Sequence, residues 1–173
     1  MITIIHSESE TGQRTAGSHA SKGEEGVTMV TVKNIIASKG AAVWTITPAA
    51  TIFKALQLMQ EKGVGALVVV DKGKPVGMIS ERDYARKVVL TGRTAKGTKI
   101  KEVMATQLLG VRPDTTADEC MRLMTVQRVR HLPVLDGERL VGIVSIGDLV
   151  KSTIDEQRDT IENLTSYIVG KYT

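Results

Sequence analysis

Apolar and polar positions along this chain follow a period that changes in a fixed order, and the order is run through twice. Ile52, Ala55, Leu56 and Met59 fall at i, i+3, i+4 and i+7, one face of a helix, and Gly63 ends it. The unbroken apolar run 66–70 has the length of a buried strand, 71–74 (Asp-Lys-Gly-Lys) is a turn, and 76–79 is the returning strand. A short strand at 43–46 precedes this group, and Ser80 opens a helix through about Leu90. Downstream, Ala117, Cys120, Met121 and Met124 repeat the helical stripe, with Thr116 and Glu119 ahead of it in capping-box spacing. Strands at 131–135 and 140–144 flank Asp136-Gly137, and Ser145 starts the last helix. Leu149, Ile154, Ile161, Leu164 and Ile168 extend that helix as an apolar stripe, against this chain or a partner subunit.

The two passes align residue by residue. Residues 48–84 match 113–149 at a constant offset of 65 without a gap, and twelve of the 37 positions are identical. They are Pro48/Pro113, Thr51/Thr116, Leu58/Leu123, Met59/Met124, Val64/Val129, Leu67/Leu132, Val69/Val134, Asp71/Asp136, Val76/Val141, Gly77/Gly142, Ser80/Ser145 and Asp83/Asp148. A weaker match sets 32–37 (VKNIIA) on 100–105 (IKEVMA) at an offset of 68. Such self-similarity predicts one structural unit, duplicated, whose copies bury a face against each other. The expected class is α/β (α+β), with residues 29–94 as the first unit, 95–150 as the second and 151–173 as a C-terminal helical extension. Residues 1–28, rich in Ser, Thr, Gly and Glu, read as a leader outside the repeat, with Met29 resembling a natural start.

Composition narrows the function by exclusion. No apolar run approaches the roughly 18–20 residues of a membrane span, and no secretory signal stands at the N-terminus. The single cysteine, Cys120, lies on a helical stripe as a small core residue, and a reducing cytoplasm is expected. The net charge of +4 is concentrated in 82–101, where Arg82, Arg86, Lys87, Arg93, Lys96, Lys99 and Lys101 face Asp83 alone. That stretch is either a solvated face or a field for an anion, phosphate or nucleic acid. Aromatic residues make up only 3% of the chain, which argues against single-strand binding by base stacking. There is no catalytic Ser, Cys or His grouping, no phosphate-cradling Gly-rich loop and no clustered metal ligands, so an enzyme is not expected.

Ser80/Asp83 and Ser145/Asp148 recur at the same strand-to-helix junction. A helix start with a serine hydroxyl suits a phosphate, and an aspartate three residues on can accept both hydroxyls of a ribose. The same pair is also ordinary helix capping, and both roles can coexist. The copies differ where Gly65-Ala66 is replaced by Arg130-His131. Arg130 is either a bidentate phosphate ligand or a surface ion pair; His131 is either a pH-sensitive donor or a hydrogen-bonded strand end. Arg82 can reach phosphate or lie in solvent, and Trp44 is read as a packing residue rather than a base-stacking one.

The strings VGALVVVDKGKPVGMISERDY and VRHLPVLDGERLVGIVSIGDL, each ending in Ser-x-x-Asp, resemble the cystathionine-β-synthase (CBS) domain, a family that occurs as tandem pairs. The resemblance covers about residues 32–150. It implies two β-α-β-β-α units related by a pseudo-twofold axis, with two clefts between them. It implies an adenosine-containing ligand there, AMP foremost, with NAD, ADP, ATP or S-adenosylmethionine as the other choices. By position, Asp83 and Asp148 would take the ribose, Ser80 and Ser145 the phosphate, and Val64-Gly65-Ala66 and Val129-Arg130-His131 the adenine pocket. Thr45 and Gly110 would edge the base, and Ile79 and Val144 would complete the nucleotide-binding set. The expected function is a nucleotide-sensing regulatory module in signal transduction, a homodimer joined through its helical stripes and acting on an unknown effector protein. A nucleic-acid-associated regulator using 82–101 is the alternative.

Overall fold

A computed structural model of the chain describes residues 2–4 and 29–170. The expected leader, with His6 and His19, lies outside the described residues except for β1 (Ile2–Ile4), which runs parallel to β5 (Leu108–Gly110) of the second repeat.

In the first repeat β2 (Thr45–Ile46) pairs parallel with β3 (Ala66–Asp71), which pairs antiparallel with β4 (Lys74–Ser80). In the second, Val111 bridges in parallel to Val134 on β6 (His131–Asp136), which pairs antiparallel with β7 (Arg139–Ser145). The registers are equivalent: Ala66 faces Ser80, His131 faces Ser145, and each hairpin shifts register at the same step, Val69/Val70 and Val134/Leu135. Lys72 and Gly73 both take positive φ, the conformation that closes a two-residue hairpin.

Helix α2 (Ile52–Lys62) starts at Thr51, whose hydroxyl accepts from the Lys54 amide, and ends at Gly63 in the left-handed region. Helix α4 (Ala117–Gln127) carries the expected box, Thr116 with Glu119, but its left-handed C-cap is Arg128, φ 53°. Two elements depart from expectation. The first strand begins at Thr45 rather than 43. The helix after Ser80 is α-helical only over α3 (Glu81–Tyr84); Ala85–Val89 widens into a π turn, with the Leu90 amide donating to the Ala85 carbonyl, and this seats Val88 fully in the core.

The cores show how the repeats join. Helix α1 (Val32–Lys39) is the leading segment of the first repeat, yet Val32 and Ile35 are buried among Val111, Cys120, Leu132 and Leu149 of the second. Reciprocally, Ile100 and Val103 of the second copy's leading segment are buried among Ile46, Ile52, Leu67 and Val88 of the first. The backbone repeats the exchange: Val32 and Lys33 donate to the Thr115 and Pro113 carbonyls, Ile100 and Lys101 to those of Ala50 and Pro48. Each such apolar side chain contributes about 1.5–3 kcal/mol on burial. The recurrence of Gly77 and Gly142 follows, since a Cβ at Gly77 would meet the Ala105 carbonyl oxygen and one at Gly142 the Ile36 side chain, both on the exchanged segments.

The helical stripes predicted to join two subunits are instead covered by the chain itself. Ile52, Ala55, Met59, Ala117, Cys120 and Met124 are buried against its own sheets, and Leu56 and Met121 pack partly buried beside them. The exposed apolar side chains are others: Phe53, Val89, Leu90, Val126, Val150 and, along α5 (Ile146–Gly170), Ile154, Ile161, Leu164 and Tyr167. The side chain of Ile168 lies outside the described residues. No helix among the described residues is long and apolar enough to cross a membrane.

Candidate functional site

Capping is present in both Ser-x-x-Asp motifs. The Ser80 amide and hydroxyl donate to Asp83 Oδ2 at 3.1 and 2.6 Å, and those of Ser145 to Asp148 Oδ2 at 2.7 and 2.8 Å. Each serine oxygen in turn accepts from the aspartate amide at 3.3 Å. The cap fixes each carboxylate beside its serine, at the end of the strand. A cation then completes each motif. Asp83 Oδ1 lies 2.8 Å from Lys87 Nζ, while Asp148 Oδ2 lies 2.6 Å from Lys39 Nζ at the end of α1. Burial pushes the Asp148 carboxyl up, but the Lys39 hydrogen bond and the two from Ser145 outweigh it, and it is held below its ordinary value.

Between the repeats lies a cleft of about 650 Å³, within the size range of small-ligand pockets. Its lining unites nine of the predicted residues: Gly65, Ala66, Ser80, Arg82, Asp83, Val129, Arg130, His131 and Ser145. The remaining six do not line it. Thr45 is exposed on β2; Val64 packs against the first core; Ile79 and Val144 are buried inside their repeats. Gly110 is buried where a Cβ would strike the Leu135 side chain, so packing alone requires glycine there. Asp148 is engaged with Lys39 behind Ser145.

The cleft also holds residues outside the predicted set, including Glu81, Arg86, Lys87, Gln107 and Arg128. Arg86 and Lys87 were visible as part of the basic stretch. Arg128 had a subtler signal, since it stands at the 65-residue offset from the helix-ending Gly63. The stretch 82–101 does not form one basic face. Arg82, Arg86 and Lys87 enter the cleft, Arg93 pairs with Glu102, and Lys96 lies over the Phe53 ring at 5.2 Å.

Arg82 Nη1 donates to the Arg128 carbonyl at 2.8 Å, linking the repeats across the cleft. The His131 ring and the Glu81 carboxylate both face Gly65, which leaves them room. Burial, and then the Arg130 charge, hold the His131 imidazole below its ordinary pKa despite the opposing Asp148 and Glu81. Cys120 is buried, and desolvation raises its thiol to about 12, so it is a core residue and no nucleophile. Trp44 is half-exposed with Lys62 Nζ 4.6 Å from its ring, away from the cleft. Among the described residues no three His, Cys, Asp or Glu gather as metal ligands.

The two repeats and their fold match known proteins. Residues 30–90 and 100–155 each match the family description "CBS domain". The CBS domain-containing protein CBSX3, mitochondrial, of Arabidopsis thaliana is 38% identical over 159 residues, covering 86% of this chain and 77% of that protein. A solved structure of a protein with CBS domains from Burkholderia ambifaria MC40-6 is 50% identical with a TM-score of 0.72, covering 74% of this chain and 96% of that one. The CBS domain pair of protein MJ0100, solved with 5′-methylthioadenosine and S-adenosyl-L-methionine, is 25% identical with a TM-score of 0.66, covering 74% of this chain and 98% of that one.

Proposed function

The chain belongs to the CBS domain family, and from that premise we propose that it is an adenine-nucleotide-binding regulatory module. The observation that carries this reading is the cleft between the repeats, where Ser80, Asp83 and Ser145 meet a set of cationic side chains from both copies. A ribose-accepting carboxylate beside phosphate-binding cations is the chemistry of a nucleotide site. The adenosine compounds bound by the MJ0100 pair support the ligand class; AMP, ADP, ATP, NAD and S-adenosylmethionine are its members. The ligand is held and not turned over. It biases the relative position of the two repeats by its differential affinity for their arrangements, and so alters a partner protein.

A thermal-shift panel of these compounds with GTP as control tests the reading. At about 100 times the dissociation constant a ligand adds roughly 2.7 kcal/mol, and each kcal/mol moves the midpoint of a domain this size by about 2–4 °C. No shift with any adenosine compound at millimolar concentration rejects it. Asp83→Ala is expected to weaken binding by roughly 1.5–3 kcal/mol, beyond the capping loss seen without ligand.

The second copy of this chain is the partner we assign to the exposed apolar positions Phe53, Val126, Val150 and Ile154 on α2, α4 and α5. Large apolar side chains left exposed on helices supply the material of such an interface. Light scattering at micromolar concentration should give twice the 18.7 kDa chain mass; a monomer with and without nucleotide rules the homodimer out. The single buried cysteine supports a cytoplasmic setting.

A further inference from the structure

We propose that the cleft selects the polyphosphate tail of its nucleotide, a triphosphate over a monophosphate, and that Arg128 is a specificity-determining residue for it. The inference rests on the nucleotide reading above and adds the charge of the ligand to it. Five cationic side chains, Arg82, Arg86, Lys87, Arg128 and Arg130, line the cleft against two carboxylates, Glu81 and Asp83. Lys87 is partnered by Asp83 and by the Val103 carbonyl, and Arg82 by the Arg128 carbonyl. The side chains of Arg86, Arg128 and Arg130 make no ion pair or hydrogen bond among the described residues. Arg86, Arg128 and Arg130 are exposed at the cleft, and like charges gathered there repel one another and set up a field that an anion relieves. Five cations against two carboxylates leave a net positive charge that the roughly two negative charges of a monophosphate do not balance; a triphosphate, with about four, does.

The backbone at Arg128 supports the same conclusion independently. A helix that ends in a left-handed residue is best served by glycine, and the first repeat has Gly63 at φ 64°. The second repeat holds an arginine in that strained conformation, φ 53°, at the cleft. Strain at a ligand-facing position points to use of the side chain. Arg130 likewise stands where the first repeat has Gly65, so both arginines that the second repeat brings to the cleft replace glycines of the first. The same field disfavours a cationic sulfonium ligand.

The test is calorimetric titration of the full chain and of Arg128→Gly with AMP, ADP, ATP, S-adenosylmethionine and inorganic tripolyphosphate. Glycine suits the left-handed position, so the variant should melt no lower than the parent without ligand. The parent should bind ATP about tenfold or more tighter than AMP, with S-adenosylmethionine weakest, and tripolyphosphate should compete with ATP. Arg128→Gly should lose about tenfold for ATP and much less for AMP. Equal affinity for AMP and ATP in the parent, or an unchanged ratio in the variant, overturns the proposal while leaving the nucleotide reading intact. Binding of tripolyphosphate with no adenosine compound bound removes the nucleotide reading and keeps the polyanion seat. Failure of both ATP and tripolyphosphate to bind overturns the proposal.

Discussion

The two repeats build the same corner and lock it differently. In each, a serine ends a strand and an aspartate three residues on takes its amide and hydroxyl. Asp83 is then paired with Lys87, one turn further along the same segment. Asp148 is paired with Lys39, 109 positions away on the leading helix of the first repeat. A ligand that competes for Asp83 disturbs one turn of local structure. Asp148 is tied instead to the end of α1, whose Val32 and Ile35 sit in the second core. Identical motifs are therefore tied to unequal partners, one local and one carried by the leading helix of the other repeat.

The comparison can be broken or sharpened by experiment, beginning with the largest effect. Gly77→Ala should cost about 3 kcal/mol in chemical denaturation, because its Cβ would meet backbone, the Ala105 carbonyl oxygen, and the reciprocal Met78–Ala105 hydrogen bonds would be strained. Gly142→Ala should cost about 1 kcal/mol, since the obstacle is the end of the Ile36 side chain, which can turn aside. Equal losses would mean that the two exchanged segments are held with equal stiffness.

A smaller effect separates Ala66 from its counterpart His131. The His131 pKa is depressed in the folded protein, so the unfolded chain takes up a proton first as pH falls. The stability this neutral imidazole supports is intact above the unfolded value of about 6.5 and is lost as pH falls below it toward the folded value. Denaturation midpoints between pH 7.5 and 5.5 should decline in the parent and decline less in His131→Ala. A bound phosphate beside the ring should reverse the sign, so nucleotide affinity should rise over the same descent; an affinity flat with pH would place the phosphate away from His131.

The smallest effect is on the lysines. Both pairs are partly solvated, so Lys39→Met and Lys87→Met should each cost about 1 kcal/mol or less. Lys39→Met has a second readout. The folded Asp148 carboxyl is held low, so its contribution is present above about pH 3.9 and disappears as pH falls through the depressed value. Loss of Lys39 should shallow that acid limb, and an unchanged limb would show that Ser145 alone holds the carboxylate.

The repeat, the hairpins, the caps and nine of the residues lining the cleft were legible in the sequence because each rests on local chemistry: periodicity, a turn residue, a capping pair, an offset. What was not legible depends on which surface meets which. The stripe from Ile52 to Met59 has the same spacing whether it faces its own sheet or another subunit, and only the fold assigns it to the former. The 68-residue match of VKNIIA with IKEVMA was plain, yet nothing in either string says that each segment docks on the opposite copy. The same blindness hid Lys39, which touches Asp148 only because α1 crosses over. Arg128 needed knowledge that its backbone is left-handed, which an arginine does not announce.

The crossed leading segments also set a timetable for synthesis. Helix α1 leaves the ribosome early, but the Pro113 and Thr115 carbonyls that receive it are made much later. The first repeat, for its part, lacks Ile100 and Val103 until the chain has passed beyond its own last helix. Neither half can finish as it emerges, and a nascent chain stopped between them would have one incomplete core and one exposed helix. Both cores are therefore completed only once both copies are out.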